Sequence, residues 1–553
     1  MKIFKNLVIA ILIAVIAYFG YMTYQKSQKD IQAIETPQVV VLSKDEILTM
    51  NLPGENLEWL DQRGWVPSAL LDAYYIYSDF DAEEDLVTIS DGFDTIVYDM
   101  AYEQATLNGQ EFSMDKPRVE DGMLWIPLGQ MKDVFHLSYD INENTKTIFV
   151  KDNTLDYTLG NAEYEIDLLM SPGESRILDE ISEKESLVIT DYDEEYIRVM
   201  TADYQVGFVP SDVIVKTWEV KAEVESKKSP IERDQPVFLT WEIYGRGYDT
   251  DKIGPMRGVN VISPAWYALS DDSGNFSAKP SENYINWAKG RDYELWALVS
   301  NDFDVKRTNT FLHSTTARKH FISNLLAEYS HKGYEGINID FENVYKEDKR
   351  QLTQFVAELT SAFRRENMVV SMDVTVMGGS DTWSKCYDRK ALGHLVDYLA
   401  IMTYDEHWAS SPISGSVSSY NWMKSNMEKI AQIVPSEKLL LGIPYYMRVW
   451  TEVPSRERAN AMDVDSGVLN MPNAEKWIEE KDLHLIWDED ARQHYTGYIE
   501  NGALKKIWFE NATSIREKAT LVNELKLGGA AVWRRGFETQ DIWGVIDDAI
   551  KAR

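Results

Sequence analysis

Residues 236–553 are predicted to form an α/β fold, a (β/α)8 TIM barrel in which eight parallel strands close on themselves under a cover of helices. Two observations carry this expectation. Eight strand-length apolar runs occur in order: Val237 to Ile243, Gly258 to Ile262, Glu294 to Val299, Gly336 to Phe341, Val369 to Val374, Tyr398 to Met402, Leu439 to Ile443 and Gly529 to Trp533. Their near-continuous apolar character suits strands buried on both faces, as parallel strands are. Most are separated by helix-length amphipathic segments, such as Ala317 to Ser330 and Lys349 to Glu366, which gives the repeated β-α order of a parallel sheet. An open doubly wound sheet shares that order, but no glycine-rich phosphate loop follows any of these strands. The long interval from Thr451 to about Glu510, between the seventh and eighth strands, is expected to hold an α+β insertion.

The region ahead of the barrel reads as an anchor and small modules. Leu7 to Tyr24 is an uncharged, mostly apolar run of 18 residues preceded by Lys2 and Lys5, long enough to span a bilayer as a helix. Tyr18, Phe19, Tyr21, Met22 and Tyr24 are too bulky for a signal-peptide cleavage site, so residues 1–24 are expected to be an uncleaved transmembrane anchor. Residues 25–98 follow as a linker and a first repeat-like α+β segment. The repeat begins at Trp65-Val66-Pro67, continues through an amphipathic stretch from Ala69 to Tyr75, and ends in the strand Val87-Thr88-Ile89. Its second copy begins at Trp125-Ile126-Pro127, with a helical stretch from Gly129 to Phe135 and a strand holding Thr147-Ile148. Residues 99–152, with a hairpin at Asn108-Gly109, resemble the module at the amino terminus of copper amine oxidases. No His or Cys cluster accompanies it, so copper is not implied. Residues 162–217 carry short strands at Ser186 to Thr190, Tyr196 to Met200 and Val206 to Pro210 and resemble a bacterial SH3-like β module. Residues 218–235 read as a charged linker. A spacer or wall-contacting stalk is the role these modules imply.

Composition narrows the partners. The chain of 553 residues carries 56 Lys and Arg against 90 Asp and Glu, a formal net charge of −34 at pH 7. Phosphate binding relies on clustered Lys and Arg, so nucleic acid is not an expected partner. The 17 Trp and 30 Tyr supply cores and leave a surplus for stacking against flat ligands such as sugars. Cys386 is the only cysteine, which excludes a disulfide framework and a Cys-based metal site but leaves the compartment open. The eight His show no ligand spacing, and neither metal nor cofactor is expected.

One segment carries chemistry: Tyr334-Glu335-Gly336-Ile337-Asn338-Ile339-Asp340-Phe341-Glu342-Asn343-Val344. Side chains alternate faces on a strand, so Asn338, Asp340 and Glu342 share one face while Ile337, Ile339 and Phe341 share the other. In a barrel the polar set climbs the interior toward the carboxyl end, where barrel active sites lie. Same-face residues are about 6.6 Å apart along a strand, so Asp340 and Glu342 can approach through their side chains. Paired carboxylates resist ionising together, which leaves a proton available at neutral pH. Breaking a glycosidic bond needs that proton. An interior hydrogen-bond network is the alternative use of these residues, although three buried polar side chains at period two are a costly way to build a strand.

The segment resembles the D-G-x-D-x-D-x-E signature of family 18 glycoside hydrolases, with Glu335 in place of the first Asp and Asn338 in place of the second. The Asn form resembles the branch of spore-cortex and cell-wall N-acetylglucosaminidases. Three further segments match that family in order: Ile401-Met402-Thr403-Tyr404-Asp405-Glu406-His407-Trp408, Leu441-Gly442-Ile443-Pro444-Tyr445-Tyr446, and Gly528-Gly529-Ala530-Ala531-Val532-Trp533. The resemblance implies that Glu342 is the proton donor and that Asp340 stabilises an intermediate formed by the substrate's own acetamido group. It further implies that Asn338 supports Asp340 by hydrogen bonding and that Tyr404 bonds the acetamido group. Asp405, Tyr446, Trp408 and Trp533 are implied substrate contacts, and His407 is expected to be a packing residue. The implied substrate is an N-acetylglucosamine-containing polysaccharide, peptidoglycan or alternatively chitin, cleaved by a single-pass cell-membrane protein with its catalytic domain outside the cytoplasm. A catalytically weak carbohydrate-binding surface protein is a third reading, which the presence of the proton-donor Glu disfavours.

Overall fold

A computed structural model describes residues 38–43, 46–51, 62–174, 176–190, 194–229, 233–243, 249–455, 457 and 461–551. The anchor expected at residues 1–24 lies outside the described residues; among those described, no helix is long and apolar enough to cross a membrane. The chain divides into two compact units, one comprising the described residues up to Tyr74 with Ser113–Lys227, the other Tyr75–Phe112 with the described residues from Lys228 onward.

The second unit contains the barrel. Its strands are β1 (Val237–Glu242), β2 (Val261–Leu269), β3 (Glu294–Ser300), β4 (Gly336–Asp340), β5 (Val369–Thr375), β6 (Tyr398–Met402), β7 (Leu439–Pro444) and β8 (Gly529–Trp533). Each pairs in parallel with its neighbours, and β1 pairs with both β8 and β2, which closes the ring. Alternation sorts their side chains into two cores. Val237, Leu239, Trp241, Val261, Trp296, Leu298, Val369, Ala400, Leu440 and Ala531 fill the inside. Phe238, Ile262, Leu295, Ile337, Val370, Leu399, Leu441 and Val532 belong to the larger core shared with the surrounding helices. Gly529 is required where β8 meets β1, since a Cβ there would lie 1.9 Å from the Val237 carbonyl oxygen.

Helices follow the strands at the spacing read from the sequence, for example Thr315–Lys332 and Lys349–Arg365. The first starts at Ser314, whose hydroxyl accepts from the Ala317 N–H, and stops at Gly333 in the left-handed region, φ 63°. β2 departs from expectation: it starts at Val261 rather than Gly258, because Gly258 turns the chain at φ 85°. It then runs on to Leu269 through Pro264, accommodated by a register shift against β3 between Ala265 and Tyr267. The insertion after β7 is α+β, with a five-stranded antiparallel sheet and the helix Met471–Glu480; its first strand, Tyr446–Pro454, starts earlier than the expected Thr451.

The modules ahead of the barrel are cut differently from the sequence reading. Strands Tyr77–Asp81, Leu86–Ser90, Thr95–Asp99, Gln104–Leu107 and Gln110–Phe112 form one antiparallel meander, so the boundary expected between residues 98 and 99 falls within a continuous sheet. This meander belongs to the barrel unit. Asp81 accepts from the Thr315 N–H at 2.9 Å and Glu84 from the Thr316 N–H at 2.8 Å, placing two carboxylates at the positive end of helix Thr315–Lys332. Arg318, 0% exposed, bridges Asp79 of the meander and Glu358 of helix Lys349–Arg365, each at 3.1 Å. The hairpin at Asn108-Gly109 forms as expected, both residues having positive φ.

In the other unit the two Trp-aliphatic-Pro triplets pair antiparallel, Trp65 opposite Pro127 and Pro67 opposite Trp125. Strand Thr147–Asp152 pairs with Leu137–Asn142 and, in parallel, with Gln38–Leu42. Gly129 to Phe135 forms successive turns rather than a full helix. Residues 157–220 form a seven-stranded antiparallel sheet around Leu168, Ile181, Leu187, Val199 and Val209. Its last strand runs to Val220, shortening the linker read as 218–235.

Candidate active site

β4 brings Asn338 and Asp340 into the barrel interior, 0% and 8% exposed, and Glu342 follows at its carboxyl end, half-buried. On the opposite face Ile337, Ile339 and Phe341 are fully buried against the helices, which fixes the direction of the polar set. Asn301, just beyond β3, clamps Glu342 by its main chain. Its Oδ1 accepts from the Glu342 N–H at 3.1 Å and its Nδ2 donates to the Glu342 carbonyl at 2.6 Å. Asn343 then turns the chain at φ 52°.

Beneath Glu342 lies a network the sequence reading missed. Asn338 Nδ2 donates to Asp373 Oδ1 at 2.8 Å and to Ser371 Oγ at 3.1 Å. Its Oδ1 accepts from Trp241 Nε1 at 2.8 Å and from Ser263 Oγ at 3.0 Å. Trp241 Nε1 also reaches Asp373 Oδ2 at 3.0 Å. The expected support of Asp340 by Asn338 is therefore corrected: two of these four Asn338 contacts run to Ser371 and Asp373 on the adjacent β5, and two cross the barrel interior to Trp241 of β1 and Ser263 of β2. The reason is geometric: residues two apart on one strand are separated by about 6.6 Å, whereas the adjacent β5 lies about 4.8 Å away and the inward side chains of β1 and β2 meet Asn338 inside the ring. Ser371 and Asp373 repeat on β5 the period-two polar pattern of β4, and that was the signal available for finding them.

The carboxyl groups are poised to hold protons. Burial, then the Asp340 and Asp405 charges, pushes Glu342 up from its ordinary 4.5 to about 9. Burial raises Asp340 from 3.8 to about 7. Asp373 is also raised, by burial and by Asp340, against the lowering effect of its Asn338 and Trp241 hydrogen bonds. A half-buried acid that keeps its proton at neutral pH is equipped for general acid catalysis.

The remaining expected residues stand around the same rim. Tyr404, half-buried after β6, meets Tyr446 edge to face at 6.3 Å. Tyr446 donates its hydroxyl to Asp405 Oδ1 at 2.7 Å, and Arg448, which sequence reasoning passed over, donates to the same oxygen at 3.3 Å. Trp533 ends β8 half-buried, its ring 6.0 Å from that of Trp241. Trp408 instead faces solvent, 51% exposed, its indole N–H donated to Ser410. His407 packs structurally: Nδ1 lies 2.8 Å from the Ser416 carbonyl, and its ring meets Trp450 edge to face.

The sequence profile of Glycosyl hydrolases family 18 matches residues 296–538, a span that begins in β3 and ends beyond β8. The chain carries a family 18 glycosyl hydrolase domain. The glycosylase YvbX of Bacillus subtilis is 27% identical over 313 residues, covering 53% of this chain and 85% of that protein. The cortical fragment-lytic enzyme of Bacillus anthracis is 26% identical over 254 residues, covering 45% of this chain and 57% of that enzyme, so the chain spans little more than half of its length. Among solved structures, the C-terminal domain of a putative chitinase from Desulfitobacterium hafniense superposes with a TM-score of 0.51 at 25% identity, covering 57% of this chain and 100% of that one. Within the family 18 domain, Glu335 sits at the amino-terminal end of the barrel, where its carboxylate accepts from the Leu295 N–H at 2.9 Å. Its replacement of the signature Asp therefore acts on strand ends, at the far end of β4 from Glu342.

Proposed function

We propose that the chain is a retaining glycosidase that cleaves peptidoglycan glycan strands by substrate-assisted catalysis. The observation that carries this reading is Glu342: an acid raised to about 9 at the open end of the barrel, with Asp340 beneath it and Tyr404 beside it. With an N-acetylated sugar on Trp533, Glu342 gives its proton to the glycosidic oxygen as the bond to the anomeric carbon breaks. The acetamido oxygen closes on that carbon, forming an oxazolinium-like intermediate. Asp340 accepts a hydrogen bond from the acetamido N–H and offsets the developing positive charge, while Tyr404 holds the acetamido oxygen. Water then opens the ring, passing a proton to the Glu342 carboxylate, and configuration is retained through two inversions.

Peptidoglycan is favoured by the cortical fragment-lytic relatives and by the modules ahead of the barrel, read as a wall-contacting stalk with SH3-like and amine-oxidase-like parts. Leu7 to Tyr24 anchors this arrangement in the membrane, with the barrel outside the cytoplasm. The chitinase fold neighbours favour a second reading, chitin as substrate. Reducing ends and product masses, measured on purified peptidoglycan and on chitin oligomers with the wild type and Glu342→Gln, test both. Release from peptidoglycan, abolished in the variant, is expected; release from chitin alone supports the second reading, and equal rates for wild type and variant reject the assigned acid.

A further inference from the structure

We infer that the inserted sheet is the template for the loop after β6 and that Glu452 is a positioning residue, fixing the exposed Trp408 ring for substrate; this rests on the hydrolase reading above. The loop runs from Thr403 to Ser419 and folds back on itself. The Glu406 N–H donates to the Val417 carbonyl at 2.9 Å, and His407 Nδ1 lies 2.8 Å from the Ser416 carbonyl. Trp408 stands at the turn between the two limbs, where its carbonyl accepts from the Ser411 N–H at 2.9 Å. Burial does not hold its ring, which is 51% exposed. Its place is therefore set by the backbone that carries it.

That backbone is gripped by the insertion. Trp450 and Glu452 alternate onto one face of the strand Tyr446–Pro454, and the pairing of Trp450 with Lys506 puts Lys506 on the same face. Lys506 pairs in turn with Gly497, four residues after Gln493, so Gln493 shares that face too. Three consecutive residues on the returning limb of the loop meet it. Ser414 donates its hydroxyl to Glu452 Oε1, the Gly415 carbonyl accepts from Trp450 Nε1 at 2.7 Å, and the Ser416 hydroxyl donates to Gln493 Oε1. Lys506 completes the set, donating to Glu452 Oε1 at 2.8 Å and to Ser414 Oγ at 3.3 Å. Glu452 and Gln493 are 8% and 1% exposed, and polar groups sunk this far are kept by the partners they hold. On the outgoing limb Ser466 donates to the Ala409 carbonyl at 2.9 Å, one residue beyond Trp408. The base of the loop has its own ties: Thr403 donates to the Gly442 carbonyl of β7, and Asp405 accepts from Tyr446 and Arg448. Loss of the Glu452 contact thus loosens the tip that carries Trp408 and spares Tyr404 and the acids of β4.

Glu452→Leu removes the oxygen shared by Ser414 and Lys506, whereas Glu452→Gln keeps a carbonyl that accepts from both. On soluble glycan strands from peptidoglycan or an N-acetylglucosamine tetramer, whichever is cleaved, Glu452→Leu should raise KM about tenfold, the worth of one hydrogen bond to a charged group. Its kcat should stay within about twofold, since binding and not the chemical step is lost. Glu452→Gln should recover most of the wild-type KM. In a Trp408→Ala background the Glu452→Leu change should leave KM where Trp408→Ala alone puts it, because Glu452 acts through that ring. Hydrogen exchange read by mass spectrometry should quicken across residues 403–420 and not in helix Lys349–Arg365. An unchanged KM, or KM effects of the two substitutions that multiply, overturns the inference. A wild type that releases no reducing ends defeats the hydrolase reading, and hydrogen exchange then decides alone: faster exchange in residues 403–420 supports the grip of Glu452 on the loop, and unchanged exchange overturns it. Should Glu452→Leu not fold, Ser414→Ala, which removes the donor from the loop itself, takes its place with the same expectations.

Discussion

Glu342→Gln should stabilise the protein at neutral pH while removing its activity. In the folded state Glu342 keeps its proton up to about 9, whereas in the unfolded chain it loses it near 4.5. Between those values the folded state binds the extra proton, so this group's contribution makes stability fall as pH rises. Below 4.5 both states are protonated and the contribution vanishes; above about 9 it stops growing. Each unit of separation is worth about 1.36 kcal/mol, so the penalty at pH 7 is about 3 kcal/mol, and at pH 5 it is under about 1 kcal/mol. Gln carries no titrating group and escapes the penalty. Denaturant unfolding of the full chain, followed by Trp fluorescence at pH 4, 5.5 and 7, reads the difference directly. The wild type and variant should coincide at about pH 4 and diverge by about 3 kcal/mol at pH 7. A gap that does not change with pH, or a variant less stable throughout, would refute the raised proton affinity of Glu342 and with it the poised acid.

Lys518 and Glu510 form an ion pair with both side chains 0% exposed, so Lys518→Met, which leaves Glu510 buried without its cation, should cost about 3–5 kcal/mol. A loss under about 1 kcal/mol in the same unfolding measurement would mean that the Ser514 and Gln493 hydrogen bonds suffice for Glu510. Tyr404→Phe should lower kcat about 10²-fold, the effect of deleting a donor aimed at developing charge, without shifting the unfolding midpoint; an unchanged rate would remove Tyr404 from the chemistry.

What the sequence revealed follows the range over which each signal acts. The acid on β4 was legible because Asn338, Asp340 and Glu342 lie within five consecutive residues and their alternation is local. Asp373 carries the same alternation with Ser371, but its meaning comes from lying beside β4, a pairing that neither strand encodes alone. Trp241 read as one more apolar residue of β1, and only closure of the ring turns its indole N–H toward Asn338. All eight barrel strands were placed, with the start of β2 displaced by the left-handed Gly258 and its end extended past Pro264. The repeat around Trp65 and Trp125 was visible as similarity, yet its hairpins fall in different units: Tyr77–Asp81 with Leu86–Ser90 joins the barrel unit, Leu137–Asn142 with Thr147–Asp152 the other. The roles of Asp79, Asp81 and Glu84 were not legible in the sequence, because the helix that Asp81 and Glu84 cap and the buried Arg318 lie more than 200 residues away.

That meander changes what counts as a removable piece of the chain. A fragment starting at residue 236 would leave Arg318 short of its Asp79 partner and strip Asp81 and Glu84 from the start of helix Thr315–Lys332. Recombinant truncation, and gene shuffling over evolutionary time, must therefore carry Tyr75–Phe112 along with the barrel or compensate for its loss. The portable hydrolase is a discontinuous stretch of sequence, Tyr75–Phe112 together with the residues from Lys228 onward, and the intervening Ser113–Lys227 belongs to the other unit.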